Sequence, residues 1–154
     1  MKMSILIMTA ALLITVNASG QAVKNVPANT KTTFSQKFPK ASNAKWSKEN
    51  DKEWEVEFKM DGKDFSANFN NAGAWIETEY AISTNEIPLA VKTTLDKEFA
   101  GYKIKVSELS ETKDGKTFEF VIEKGESKME LAINGNGKVL NKEQLKEDDE
   151  KDEN

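Results

Sequence analysis

The chain has 154 residues, enough for one domain or for two small units sharing a core, and it carries a formal net charge of −4. It contains no Cys and no His, and all 22 of its basic residues are Lys. Disulfides, thiolate metal sites and the commonest general base are thereby excluded, bidentate phosphate recognition lacks its usual Arg, and the acidic balance argues against nucleic acid.

The chain opens with Met1-Lys2 and an apolar run from Ser4 to Val16, followed by the small residues Asn17 to Ala22. The run has signal-peptide length and is too short to span a bilayer comfortably. Residues 1–20 are therefore expected to be a secretory signal, cut after Ala18 or Gly20. The mature chain is expected in the periplasm or outside the cell, with no membrane span after cleavage. With no Cys at the junction, a lipid anchor is not expected.

Val26-Pro27 begins a helix, with Pro27 read as its first residue. Thr30, Phe34 and Phe38 mark one face at i, i+4, i+8, and Pro39 ends it. A strand around Trp46 (Ala44 to Ser47) comes next. From Trp54 to Met60 apolar and charged residues alternate strictly, which places Trp54, Val56, Phe58 and Met60 on one side of a sheet. Asp61-Gly62 is a hairpin turn signal. Alternation resumes with Phe65, Ala67 and Phe69, turns at Asn70-Asn71-Ala72-Gly73, and ends in a strand from Ala74 to Tyr80. An antiparallel sheet covered on one side only fits this pattern.

The chain then repeats itself. Pro27 and Pro88, Thr30 and Val91, Phe34 and Leu95, and Phe38 and Phe99 keep a spacing of 61 residues. Trp54, Val56 and Phe58 correspond to Phe118, Phe120 and Ile122 at a spacing of 64, as do Phe65, Ala67 and Phe69 to Met129, Leu131 and Ile133. The Asn70–Gly73 turn corresponds to Asn134-Gly135-Asn136-Gly137, and Trp75-Ile76 to Val139-Leu140. Tyr102 to Leu109 supplies the strand between helix and meander. The expected fold is α+β and two-layer: a tandem duplication of one helix plus a four-stranded antiparallel sheet. Its first unit would span 21–85 and its second 86–143. Residues 144–154, nearly all charged, read as an acidic disordered tail.

Little in the chain can perform catalysis. Its serines have no His, and Ser47-Lys48 and Ser127-Lys128 lie in strand-edge or loop contexts, so no enzyme and no catalytic residue is expected. Glu53, Glu55, Glu57, Glu119 and Glu123, interspersed with Lys, read as charge pairing on a solvated face. Asn68, Asn70, Gly73 and Glu79 fall at positions 1, 3, 6 and 12 of an EF-hand loop, but amides replace its acids and Ala72 stands at position 5. No metal and no cofactor is expected. Trp75 and Ile76 point to opposite faces of their strand. With Ile76 buried, Trp75 would lie on the outer face as a contact residue, with Trp46 and Tyr80 as weaker ones. The other reading is that these aromatics cover a seam between the two units.

Several segments together resemble the PepSY-like periplasmic proteins: Phe38-Pro39-Lys40-Ala41, Lys45-Trp46, Glu55-Val56-Glu57-Phe58, Asp61-Gly62-Lys63 and Ala72 to Glu79. Leu89-Ala90-Val91, Gly101-Tyr102-Lys103-Ile104 and Asp114-Gly115-Lys116-Thr117 continue the match, which spans about Val26 to Glu143. The resemblance implies a fold similar to the β-lactamase-inhibitor proteins, in which the sheet presents a protein-binding face. It supplies no catalytic residues and no cofactor. The function expected is an exported, non-enzymatic protein that binds or modulates another envelope protein or peptide through its sheet. The alternative is a small-ligand module with a site between the repeats.

Overall fold

Apolar residues spaced by four build the two helices, α1 (Ala28–Lys37) and α2 (Leu89–Glu98). The structure, a computed structural model, describes residues 25–145. The expected signal peptide, and the expected tail from residue 146 onward, lie outside the described residues. Pro27 and Pro88 cap the helices from just outside and do not form their first turns. Each has extended ψ (141° and 150°). Their carbonyls accept the first helical hydrogen bonds, from Lys31 at 3.2 Å and Lys92 at 3.0 Å. Having no N–H, a proline loses nothing there.

The period-two segments form β1 (Ser42–Lys48), β2 (Glu53–Met60), β3 (Lys63–Asn70) and β4 (Trp75–Ala81). A short 3-10 turn, Thr84–Glu86, leads to α2, then to β5 (Lys103–Thr112), β6 (Gly115–Lys124), β7 (Ser127–Asn134) and β8 (Val139–Leu145). The eight strands are hydrogen-bonded in sequence order as an open antiparallel sheet. Asp61 (φ 49°) and Gly62 (φ 82°) make the β2–β3 hairpin in the left-handed conformation that the Asp-Gly pair tolerates.

By compactness the described residues group into an N-terminal unit, 25–81 with 108–116, and a C-terminal unit, 82–107 with 117–145. The N-terminal core is aromatic: Phe34, Phe38, Val56, Phe58, Ala67 and Phe69 are buried together, with Trp46, Phe65 and Trp75 against them. The Phe34 ring meets Phe58 edge-on at 5.1 Å and Trp46 at 5.4 Å, favourable T-shaped geometries. In the C-terminal unit the buried residues are mostly aliphatic: Val91, Leu95, Ile122, Leu131 and Ile133, with Phe99, Phe118 and Phe120.

One expectation needs correcting. Gln144 and Leu145, read as the head of the disordered tail, belong to β8 and stand opposite Met129 and Lys128. Backbone pairing to β7 outweighs the polar composition of this stretch, because the ladder is indifferent to side-chain charge.

Candidate functional site

The register of β3 and β4 decides where Trp75 goes. Phe69 stands opposite Trp75 and Asn68 opposite Glu77, so Ile76 is an extra residue in a bulge. The bulge returns Trp75 to the side of Phe69, which is the helix side. Uninterrupted alternation with a buried Ile76 would have turned it outward, so the outer-face expectation is corrected. The half-buried indole donates its Nε1–H to Thr78 Oγ1 at 2.9 Å, and the Lys37 ammonium lies 3.6 Å from the ring centroid. Trp46 packs on the same core, 6.0 Å from the Phe69 ring, and Tyr80 lies 4.9 Å from Phe65. All three aromatics therefore sit on the helix side. The C-terminal unit repeats the device: Ile133 faces Val139 and Ala132 faces Asn141, leaving Leu140 as the extra residue.

The opposite side of the N-terminal unit is polar, and its side chains line up across five strands. One row runs Lys45, Glu57, Ser66, Glu79, Ser110, and the next runs Ser47, Glu55, Asn68, Glu77, Thr112. Four carboxylates thus share these rows with one ammonium. Asn68 and Ser110 are buried although they lie on this polar side. Ser110 Oγ donates to Glu77, and Ser47 Oγ to Glu55 at 3.3 Å. Burial raises the pKa of Glu55, and the neighbouring Glu49 and Glu57 carboxylates raise it further, while the Ser47 hydroxyl pulls it down. Burial also raises that of Glu108. Glu55 and Glu108 are thus partly desolvated carboxylates, a state that an approaching cation relieves.

Glu130 occupies a comparable position in the C-terminal unit. It faces Val121 on one side and Glu143 on the other, and is only 8 % exposed. Burial raises its pKa, the Glu143 carboxylate adds to the effect, and Lys128 opposes it.

Sequence reasoning missed one further feature. A cleft of about 230 Å³ opens in the C-terminal unit where the end of α2 meets β5 and β6. It is lined by the buried Leu95, Phe99 and Ile122 and by the more accessible Asp96, Tyr102 and Ile104. The signal was present in the sequence spacing, where Leu95 falls 61 residues after Phe34 and Ile122 falls 64 after Phe58.

An open eight-stranded antiparallel sheet with two helices is the architecture of the β-lactamase-inhibitor-like fold. A BLIP-like protein from Bacteroides fragilis superposes with a TM-score of 0.71 at 18 % identity, covering 82 % of this chain and 91 % of its own. A DUF2874 family protein from Bacteroides ovatus gives 0.71 at 21 % identity, with coverages of 78 % and 88 %. A candidate periplasmic protein from Bacteroides eggerthii gives 0.72 at 17 %, with coverages of 79 % and 90 %. At such identities the likeness establishes the fold. The sequence profile of the PepSY-like family, described as beta-lactamase-inhibitor-like, matches residues 52–141, and the chain belongs to that family. No curated protein matches it. Among the described residues no helix is long and apolar enough to cross a membrane.

Proposed function

We propose that the protein is an exported, non-enzymatic binding module whose polar sheet face takes a basic segment of another envelope protein or a basic peptide. The observation that supports this is the pair of rows across β1–β5, in which Glu55, Glu57, Glu77 and Glu79 stand with Lys45. Charge complementarity of this kind steers encounter and rejects acidic partners. The small-molecule reading gains no support from the cleft, since pockets for drug-sized ligands run from about 300 to 1,000 Å³. Localisation in the periplasm or outside the cell follows the candidate periplasmic relative and the expected signal at 1–20.

In this reading the chain is a tandem duplication, 21–85 and 86–143. Its support is local and repeated. Asn70 Oδ1 accepts the N–H groups of Ala72 and Ala74, and Asn134 Oδ1 accepts those of Asn136 and Lys138, all at 2.9 to 3.1 Å. Both helices close on a Phe, with Phe38 N–H bonded to Phe34 and Phe99 N–H to Leu95.

The test is affinity capture from a native envelope fraction with the chain lacking residues 1–20, beside Glu55→Gln/Glu57→Gln and Trp75→Ala. A partner that is retained by the parent, lost in the double variant and released by roughly 0.5 M salt supports the polar face. Equal retention by parent and double variant refutes it. Loss with Trp75→Ala alone moves the contact to the helix side and to Trp75, Trp46 and Tyr80.

A further inference from the structure

In the N-terminal unit, large rings fill the space between the helix and the first strands. Trp46 closes over Phe34 and Phe69, with ring centroids 5.4 and 6.0 Å away. In the C-terminal unit Leu95 and Ile122 stand where the N-terminal unit has Phe34 and Phe58, and the cleft beside Leu95, Phe99 and Ile122 remains open. Ile104, on its wall, is 39 % exposed, one of two large apolar residues exposed among the described residues. The cavity, about 230 Å³, lies below the usual range for a drug-sized ligand and suits a single side chain. Aromatic side chains are the usual anchors in such pockets.

Charge selects among the possible anchors. Asp96 is the one charged residue lining the cleft, is exposed, and makes no ion pair among the described residues. It lies in the last turn of α2, where the helix dipole is negative and disfavours a second negative charge. Lys124 does not neutralise it: its ammonium donates to the Ala100 carbonyl at 3.3 Å and lies over the Tyr102 ring. The cleft therefore offers an apolar socket with a carboxylate at its rim that makes no ion pair among the described residues.

We infer that this cleft receives one aromatic side chain of an extended peptide segment, with an adjacent Lys or Arg of that segment meeting Asp96. The inference goes beyond the polar-face reading, and neither rests on the other.

The experiment is a titration of the ¹⁵N-labelled chain lacking residues 1–20 with Ac-Lys-Trp-Lys-NH₂, and with Ac-Lys-Ala-Lys-NH₂ as control, following amide shifts. The Trp peptide is expected to move resonances from Leu95 to Ile104 and at Ile122, with an affinity of about 1 mM, in keeping with a single anchored side chain. The Ala peptide moves none of them. Ile104→Trp, which fills the cleft from within, weakens the response at least about ten-fold, as does Leu95→Phe, which copies Phe34. Asp96→Asn weakens it by roughly two- to five-fold, the range of an exposed ion pair. The inference is overturned by equal responses to both peptides, by shifts that survive Ile104→Trp and Leu95→Phe, or by no response at about 10 mM, well above that affinity. Partner capture that depends on Glu55 and Glu57 but is indifferent to Ile104→Trp leaves the polar-face function standing and rejects the anchor.

Discussion

Glu130 holds its carboxylate where charge is poorly tolerated, with apolar Val121 on one flank and the like-charged Glu143 on the other. Its pKa is raised above the usual value near 4.5, so the folded chain binds the proton more tightly than the unfolded chain does. The stabilisation from this proton is complete below the unfolded value and is lost as pH rises through the folded one. Glu130→Gln removes the charge and keeps the shape. The variant is expected to melt higher than the parent at pH 7, by roughly 2–5 °C, and the gap should close near pH 4. Calorimetry at the two pH values checks this, and a gap of the same size at both would refute it. Trp75 poses the opposite problem, since its partners are all on the helix side. Trp75→Ala loses packing near Phe69, the hydrogen bond to Thr78 and the contact with Lys37. For a half-buried ring the expected cost is about 2–3 kcal/mol in urea denaturation. A loss below about 0.5 kcal/mol would mark it as a surface residue.

At the scale of elements, the turns between paired strands dock on the helices through glycine. A Cβ on Gly137 (φ 83°) would lie 2.6 Å from the Ala90 carbonyl oxygen, and Thr94 Oγ1 already donates to the Gly137 carbonyl at 2.6 Å. Gly73 makes the same approach to the backbone of Asn29. Gly62 has the same φ, but a Cβ there would meet nothing within 4 Å. The pair separates the two effects. Gly62→Ala should cost only the left-handed penalty, about 1–2 kcal/mol, whereas Gly137→Ala adds an overpacking cost of about 1–3 kcal/mol. Equal costs in urea melts would mean that the turn does not dock as described. Period and turn chemistry made β2, β3, β6 and β7, the Asp61-Gly62 hairpin and the helix anchors legible in the sequence. The bulges at Ile76 and Leu140 were not legible, because an apolar pair at the start of a strand, Trp75-Ile76 or Val139-Leu140, does not show which of the two is the extra residue. Buried Asn68 and Ser110 were hidden for a related reason: alternation assigns a side of the sheet, and says nothing about how deeply that side is covered. The cleft could have been inferred from the smaller residues at Leu95 and Ile122, but sequence alone does not show whether a core closes over smaller side chains or leaves a gap.

For the molecule as a whole, the repeat in sequence and the grouping by compactness divide the chain differently. Phe34/Leu95 and Phe58/Ile122 suggest a cut near residue 85, yet the unit that contains α1 and β1–β4 also takes 108–116. The reason lies in β4. Glu77 to Ala81 are paired, residue by residue, with Thr112 to Glu108, and Tyr80 stands opposite the buried Leu109. A fragment ending at residue 85 would keep its aromatic core but leave the backbone donors and acceptors of β4 as an open edge. It would also uncover the polar side of that strand, where Glu77 accepts from Ser110. Unprotected edges pair with other chains, whereas β1, the other edge of this unit, is blunted by a bulge at Asn43 (φ 56°) and by Lys45 and Lys48. Fragment 21–85 is therefore expected to lack a cooperative thermal transition by circular dichroism and to elute larger than a monomer in size-exclusion chromatography. A monomeric fragment with a sharp melt would show that the repeat boundary is also a folding boundary, and that β4 needs no strand beside it.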